Sequence, residues 1–246
     1  MKLEKKLVSS GYWLFRWRSY FPIIIILFFI PAMAEYEYVG GNREMTTTWG
    51  IFSLFVGLLG LFFRILVVGY TPQNTSGRNT RQQIANVLNT SGWYSVVRHP
   101  LYLGNYLMGL GISLFPFVWW MPVIYTLSFA LYYERIMVAE EDFLRGKFGD
   151  DFEKWSEVTP GFLPAFSKWD SPSLEFSLIN ILRREYSSLF ALVLCFTILD
   201  YIGNYLVVRR FYIVPMWTNL FWITLVAYLI LRTLKRYTKI LDVTGR

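Results

Sequence analysis

Residues 98–142 read RHPLYLGNYLMGLGISLFPFVWWMPVIYTLSFALYYERIMVAEED, and this stretch decides the fold. Two apolar runs, Leu101 to Leu114 and Phe117 to Val138, are separated only by Phe115-Pro116. A proline break that short between helix-length runs turns the chain back on itself as a tight hairpin. Pro100 suits the first helical position, because the N–H it lacks would have no intrahelical partner there. Arg98 and His99, the chain's single histidine, thus stand beside the positive end of a helix. They read either as a site or as interfacial anchors of a membrane helix. At the other open end of the hairpin come Glu134 and then Glu140-Glu141-Asp142. The macrodipole disfavours negative charge at a helix C-terminus, so these acids call for a compensating partner. Arg98 and a cationic ligand are the candidates; plain ion pairs with Arg135 or Arg145 are the alternative.

Working outward, the 246 residues are 54% hydrophobic and 20% aromatic, with a mean hydropathy of +0.37, which excludes an ordinary soluble domain. Further charge-poor runs lie at Tyr20 to Ala34, Trp49 to Val68, Ser187 to Val208 and Phe211 to Leu231. With the hairpin they predict an all-α polytopic membrane protein of six transmembrane helices, forming one integral membrane domain over residues 1–246. The first and third runs are short of the ~20 residues that a ~30 Å hydrocarbon core requires. Ala32-Met33-Ala34 resembles a signal cleavage site, but Tyr12, Trp13, Phe15 and Trp17 suit an interfacial helix better than a signal's short leader. Cys195 stands alone, so no disulfide framework, thiolate cluster or other metal centre is expected.

The net charge of +7 is spread between the runs rather than gathered on a basic face, which argues against nucleic-acid binding. Lys2, Lys5, Lys6, Arg16 and Arg18 precede the first run; Arg78, Arg81 and Arg98 lie between the second and third. Arg145, Lys147, Lys154, Lys168, Arg183 and Arg184 follow the fourth, and Lys235, Arg236 and Lys239 follow the last. The alternate connections hold only Arg43 and the pair Arg209 and Arg210. The positive-inside rule therefore places both termini, and the open end of the hairpin, in the cytoplasm. After the acids, Phe143, Leu144, Phe148, Phe152 and Trp155 recur at helical spacing among charges. They predict an amphipathic helix weakened at Gly149 and ended by Thr159-Pro160-Gly161.

From about Gly92 to Pro164 the order of signals resembles the isoprenylcysteine carboxyl methyltransferase and phospholipid methyltransferase superfamily of integral membrane enzymes. Arg98-His99-Pro100-Leu101-Tyr102-Leu103-Gly104 is similar to its Arg-His-Pro-x-Tyr-x-Gly signature, Gly109-Leu110-Gly111 to its Gly-x-Gly, and Glu140-Glu141 to its acidic pair. The series Leu144, Phe148-Gly149, Phe152, Trp155, Pro160 and Phe162-Leu163-Pro164 resembles its closing segment. The helix pair at 187–231 lies outside the signature.

The resemblance implies S-adenosylmethionine as cofactor, bound at the cytoplasmic side of the third and fourth helices, and a membrane lipid or lipid-like acceptor. Arg98 and His99 suit the cofactor's carboxylate; Glu140 and Glu141 suit its ribose hydroxyls or ammonium; Tyr102 offers a ring and a hydroxyl. Gly104, Gly109 and Gly111 admit either adenine or a neighbouring helix. Arg98, His99, Glu134 and Glu141 are the candidate catalytic residues, with Glu134, Glu141 or His99 as base should the acceptor be an amine. The acceptor expected is a lipid head group or lipid phosphate. The alternatives are carboxyl methylation of a prenylated cysteine, an NADPH-dependent membrane reductase of the sterol-reductase kind, and non-enzymatic lipid binding. Asp200 and Asn204, one turn apart in an apolar run, predict a structural hydrogen-bonded pair before an acceptor site. Arg78 and Arg81 form a basic loop that would meet an anionic leaflet or grip a lipid phosphate.

Overall fold

A computed structural model describes residues 2–72, 83–210, 214–243 and 245. Arg78 and Arg81 lie outside the described residues. The α-helices among those described are α1 (Lys2–Arg16), α2 (Phe21–Ala34), α3 (Arg43–Gly69), α4 (Trp93–Val96), α5 (Pro100–Leu114), α6 (Trp120–Phe148), α7 (Asp150–Val158), α8 (Leu178–Val208) and α9 (Pro215–Tyr237). No strand occurs among the described residues, so the all-α expectation holds.

A helix stands at each of the six expected runs, but among the described residues three, α3, α8 and α9, are long and apolar enough to cross a membrane; α1 with α2, bent by 65°, is a fourth candidate. The reason is local. α2 has 14 residues and α5 has 15, below the ~20 of a full span. α6 is long at 29 residues, yet it becomes charged from Glu134 onward and runs well past Val138 to Phe148.

Caps set several boundaries. Asn42 accepts hydrogen bonds from the Glu44 and Met45 amides at the start of α3 (2.7 and 3.3 Å), and Ser177 accepts from Asn180 N–H at the start of α8 (3.2 Å). Pro100 occupies the first turn of α5, as its sequence position required. Gly149 does more than weaken a helix. With φ 52° and ψ −124°, in a region side-chain-bearing residues avoid, it ends α6 and starts α7.

The core of the bundle is the packing of α5 between α3 and α6. Backbones of α3 and α5 meet over small residues: a Cβ on Gly111 would lie 2.5 Å from Gly57 N and 2.6 Å from Ser53 O, and one on Gly60 would lie 2.5 Å from Gly104 O. Such close approach brings dispersion contact along the whole seam without a side chain to displace. On the other face of α5, Tyr102 and Tyr106 stack into α6 against Tyr125, Phe129 and Tyr133. α1 crosses α6 equally closely, where a Cβ on Gly11 would collide with the Arg135 carbonyl. α8 and α9 pair with each other and lean on α3, burying Leu192, Phe196 and Trp217 around Phe115.

Two polar ties cross this apolar body. Midway along α8, Asp200 accepts from Arg43 (3.2 Å) and from Asn204 (2.8 Å), while Tyr38 donates to Asn204 (3.0 Å). The expected Asp200–Asn204 pair is thus present, enlarged by an arginine at the start of α3. Nearer the other end, Arg64 of α3 forms a forked pair with Glu185 of α8 (3.0 and 2.7 Å) and donates to Asn105 of α5 (2.5 Å).

Candidate active site

The N-terminus of α5 and the C-terminal turns of α6 meet where the hairpin opens, as the charge pattern requires. Main-chain bonds fix the approach. Arg98 N–H donates to Pro160 O (2.8 Å), His99 N–H to Gly161 O (3.2 Å), and Ala165 N–H to Val96 O (2.9 Å). The segment after α7 is therefore laced to the segment before α5. Phe152 is fully buried beneath it, Trp155 donates its indole N–H to Tyr94 O (2.9 Å), and Phe162 lies against Tyr106 and Phe129 between the two helices.

Within this frame the acidic pair divides its partners. Glu141 takes the Arg98 guanidinium in a fork, Nε to Oε1 at 2.8 Å and Nη2 to Oε2 at 3.4 Å. It also meets His99 Nε2 at 2.9 Å. Glu140 accepts from the Tyr102 hydroxyl (2.6 Å), pairs with Arg18 (3.5 Å), and faces His99 Nδ1 at 3.5 Å. His99 is buried, with its ring stacked on Tyr102, so each ring nitrogen faces a different carboxylate.

That arrangement sets the charges. Burial alone would push the imidazole toward neutrality, but the hydrogen bonds and negative charges of Glu140 and Glu141 outweigh it and hold His99 above its usual value of 6.5. Burial would likewise raise Glu141, yet its bonds to His99 and Arg98 and their charges hold it below its usual 4.5. The two shifts agree in sense: His99 and Glu141 each favour the charged form of the other.

Six residues converge here, and five of them, Arg98, His99, Tyr102, Glu140 and Glu141, are ones the sequence singles out. Glu134 is exposed on α6, about two turns before the pair, outside this hydrogen-bonded network. The glycines lie elsewhere. A Cβ on Gly104 would press on the Arg64 side chain, one on Gly111 on the α3 backbone, and one on Gly109 on the Tyr125 hydroxyl. All three make room for helix neighbours. Arg98 also closes off α7, because its Nη1 donates to Ser156 O and Thr159 O (both 2.7 Å) and so caps the C-terminal carbonyls of that helix. No cluster of three or more His, Cys, Asp or Glu side chains suited to a metal occurs among the described residues.

The sixth residue, Arg18, comes from the linker after α1 and is invisible to a motif reading, since it looks like one more topogenic charge. Arg64 is likewise missed, although an arginine inside the apolar run Trp49 to Val68 is itself a signal, because an ionised group there needs a partner.

Residues 52–151 match the family model described as phospholipid methyltransferase. That match is consistent with the resemblance to the isoprenylcysteine carboxyl methyltransferase and phospholipid methyltransferase superfamily. Relatives are of mixed kinds. A nickel-cobalt-cadmium resistance protein of Alcaligenes xylosoxydans is 27% identical over 60% of this chain and 67% of its own length. A cobalt-zinc-cadmium resistance protein of Cupriavidus metallidurans is 31% identical over 54% of this chain and 59% of its own length. The Δ14-sterol reductase of Candida albicans is 29% identical over 52% of this chain, and the protein-S-isoprenylcysteine O-methyltransferase of Schizosaccharomyces pombe 28% identical over 32%. The matches cover about a third of each of those two relatives, 30% and 34%. No solved structure matches.

Proposed function

We propose that this chain is an S-adenosylmethionine-dependent methyltransferase acting on a membrane-embedded amphiphile, with a lipid head group or lipid phosphate as acceptor. The observation that carries the reading is the convergence of Arg98, His99, Tyr102, Glu140 and Glu141, all within the matched segment, on one another at the open end of the α5–α6 hairpin. The positive-inside pattern supports a cytoplasmic position for that end, where the cofactor is available.

The donor set suits the cofactor's polar groups. Glu140 and Glu141 keep 22% and 19% of their side chains accessible, enough for carboxylate oxygens to accept from ribose hydroxyls or an ammonium. The guanidiniums of Arg18 and Arg98, 17% and 19% accessible, are the cationic partners for a carboxylate. The glycines contribute differently: filled by helix neighbours, they brace the site without cradling adenine.

When bound, the cofactor supplies an electrophilic methyl group on a sulfonium. The chain's own part is to hold and to dry. Glu140 and Glu141 orient the polar groups, while Phe162, Tyr106 and Phe129 form an apolar wall that keeps water from the acceptor's path. A phosphate or carboxylate acceptor is already ionised and requires no base. An amine acceptor gives up a proton, for which the Glu141 carboxylate, or His99 in its neutral form, is the base in this reading.

Isothermal calorimetry on the purified full chain with S-adenosylmethionine, its demethylated product and NADPH tests the reading; binding of the first two is expected. The sterol reductase likeness favours a reductase as second reading, and binding of NADPH alone would establish it instead. Transfer of a radiolabelled methyl group into a total lipid extract then identifies the acceptor.

A further inference from the structure

α1 presents two faces of opposite character. Gly11 and Phe15 are buried, with Gly11 set against α6, whereas Lys5, Lys6, Ser9, Ser10 and Trp13 line an open groove of about 660 Å³ on the outside. Two ammonium groups one turn before the Ser9 hydroxyl offer donors for an anion. Ser10 lines the groove without serving an anion, because its hydroxyl proton is given to the Leu7 carbonyl (3.0 Å).

The chemistry changes along the chain. Beyond the groove, Trp13 and Trp17 lie 6.4 Å apart and Trp17 and Tyr20 5.4 Å apart, all three exposed, Trp13 by 63%. Exposed aromatic rings with a polar edge belong at the level of lipid head groups. After the 65° bend, α2 exposes Ile23, Ile26, Leu27 and Ile30 by half or more. Cation, aromatic collar and aliphatic surface therefore follow one another over residues 5–30, in the order in which a phospholipid presents phosphate, glycerol and acyl chains.

We infer that this surface is a docking site for an anionic phospholipid, its phosphate held by Lys5, Lys6 and Ser9 and its chains directed toward α2. The site is separate from the methyl-transfer reading and stands or falls without it. α1 ends beside Arg18, whose pairing with Glu140 places this lipid one helix away from the candidate active site.

Native mass spectrometry of the full chain, released from micelles containing equal phosphatidylglycerol and phosphatidylcholine of the same chain length, reads the site directly. Preferential retention of phosphatidylglycerol is expected. Since each lysine near an anionic lipid contributes about 1 kcal/mol, Lys5→Gln with Lys6→Gln should weaken that retention by about thirtyfold. Lys235→Gln with Arg236→Gln, at the end of α9, should leave it unchanged. Both lysines are exposed, so the variant tests binding without undermining the fold. Equal retention of the two lipids overturns the inference, as does a Lys5/Lys6 variant that binds like the wild type. Displacement of the lipid by inorganic phosphate would assign the groove to a free anion, and overturns it too.

Discussion

Among the charge clusters held inside this helical bundle, those around Asp200 and His99 are put together differently. Around Asp200, one carboxylate meets one guanidinium and an amide, all from residues within or at the start of long helices. Around His99, two carboxylates meet two guanidiniums, a phenol and an imidazole, and Arg18, Arg98 and His99 stand on the connections that precede helices. The first is a one-to-one pair that joins the start of α3 to α8. The second contains a group that can gain or lose a proton at ordinary pH, so its net charge is adjustable. A one-to-one pair ties helices together; a larger cluster with accessible carboxylates can accept a polar ligand.

The widest separation between them should come from Asp200→Ala. Removing one partner of a buried pair leaves the other uncompensated, at a cost of about 3 kcal/mol. Thermal unfolding in detergent should show that loss, while calorimetry on the folded protein shows cofactor affinity unchanged. A fall in affinity as large as the fall in stability would mean that the far cluster and the candidate site are one unit. Next in size is Gly111→Ala. Its Cβ would press on the backbone of Gly57 and Ser53, which cannot rotate away, and overpacking of this kind costs about 1–3 kcal/mol. Gly109→Ala meets the end of the Tyr125 side chain and should cost less. If Gly111→Ala instead left stability intact and abolished cofactor binding, the glycines would belong to the site after all.

Glu141→Gln should act in the opposite sense. Arg98 keeps the carbonyls of Ser156 and Thr159, so the fold loses little, but a charged acceptor is gone from the site. Cofactor affinity should fall at least tenfold, about 1.4 kcal/mol, with expression retained. His99→Ala should behave alike. Unchanged affinity in both variants would remove the pair from the site.

What the sequence discloses tracks how local each cause is. Pro100 before an apolar run, the acids at the end of α6 and the stop at Gly149 are settled by neighbours along the chain, and the hairpin follows from them. The motif residues then meet because the hairpin brings its two open ends together. Span counting fares worse: the first and third runs are short in the sequence already, and α2 and α5 stay at 14 and 15 residues, below a full span. Arg18 and Arg64 are legible as charges but not as partners, because pairing depends on which helices pack. The glycines are ambiguous for the same reason: an open backbone looks alike whether a ligand or another helix fills it.

The smallest effect expected is also the most specific to the His99 cluster. His99 is held above 6.5, so the stability its protonated form adds is present in full below that value and is lost as pH rises through the raised one. Glu141 is held below 4.5, so its contribution is present above that value and is lost as pH falls through the lowered one. Together they define a window, between 4.5 and 6.5, in which the pair stabilises the fold most. Midpoints of thermal unfolding across pH, for the wild type and for His99→Gln, should differ most inside that window and converge at alkaline pH, where the wild-type imidazole is neutral. Asp200→Asn, at the other cluster, removes no histidine and should leave the alkaline limb in place. A difference that persists undiminished to high pH would mean that His99 contributes through packing against Tyr102 rather than through its proton, and the cluster would then tie helices together as the one around Asp200 does.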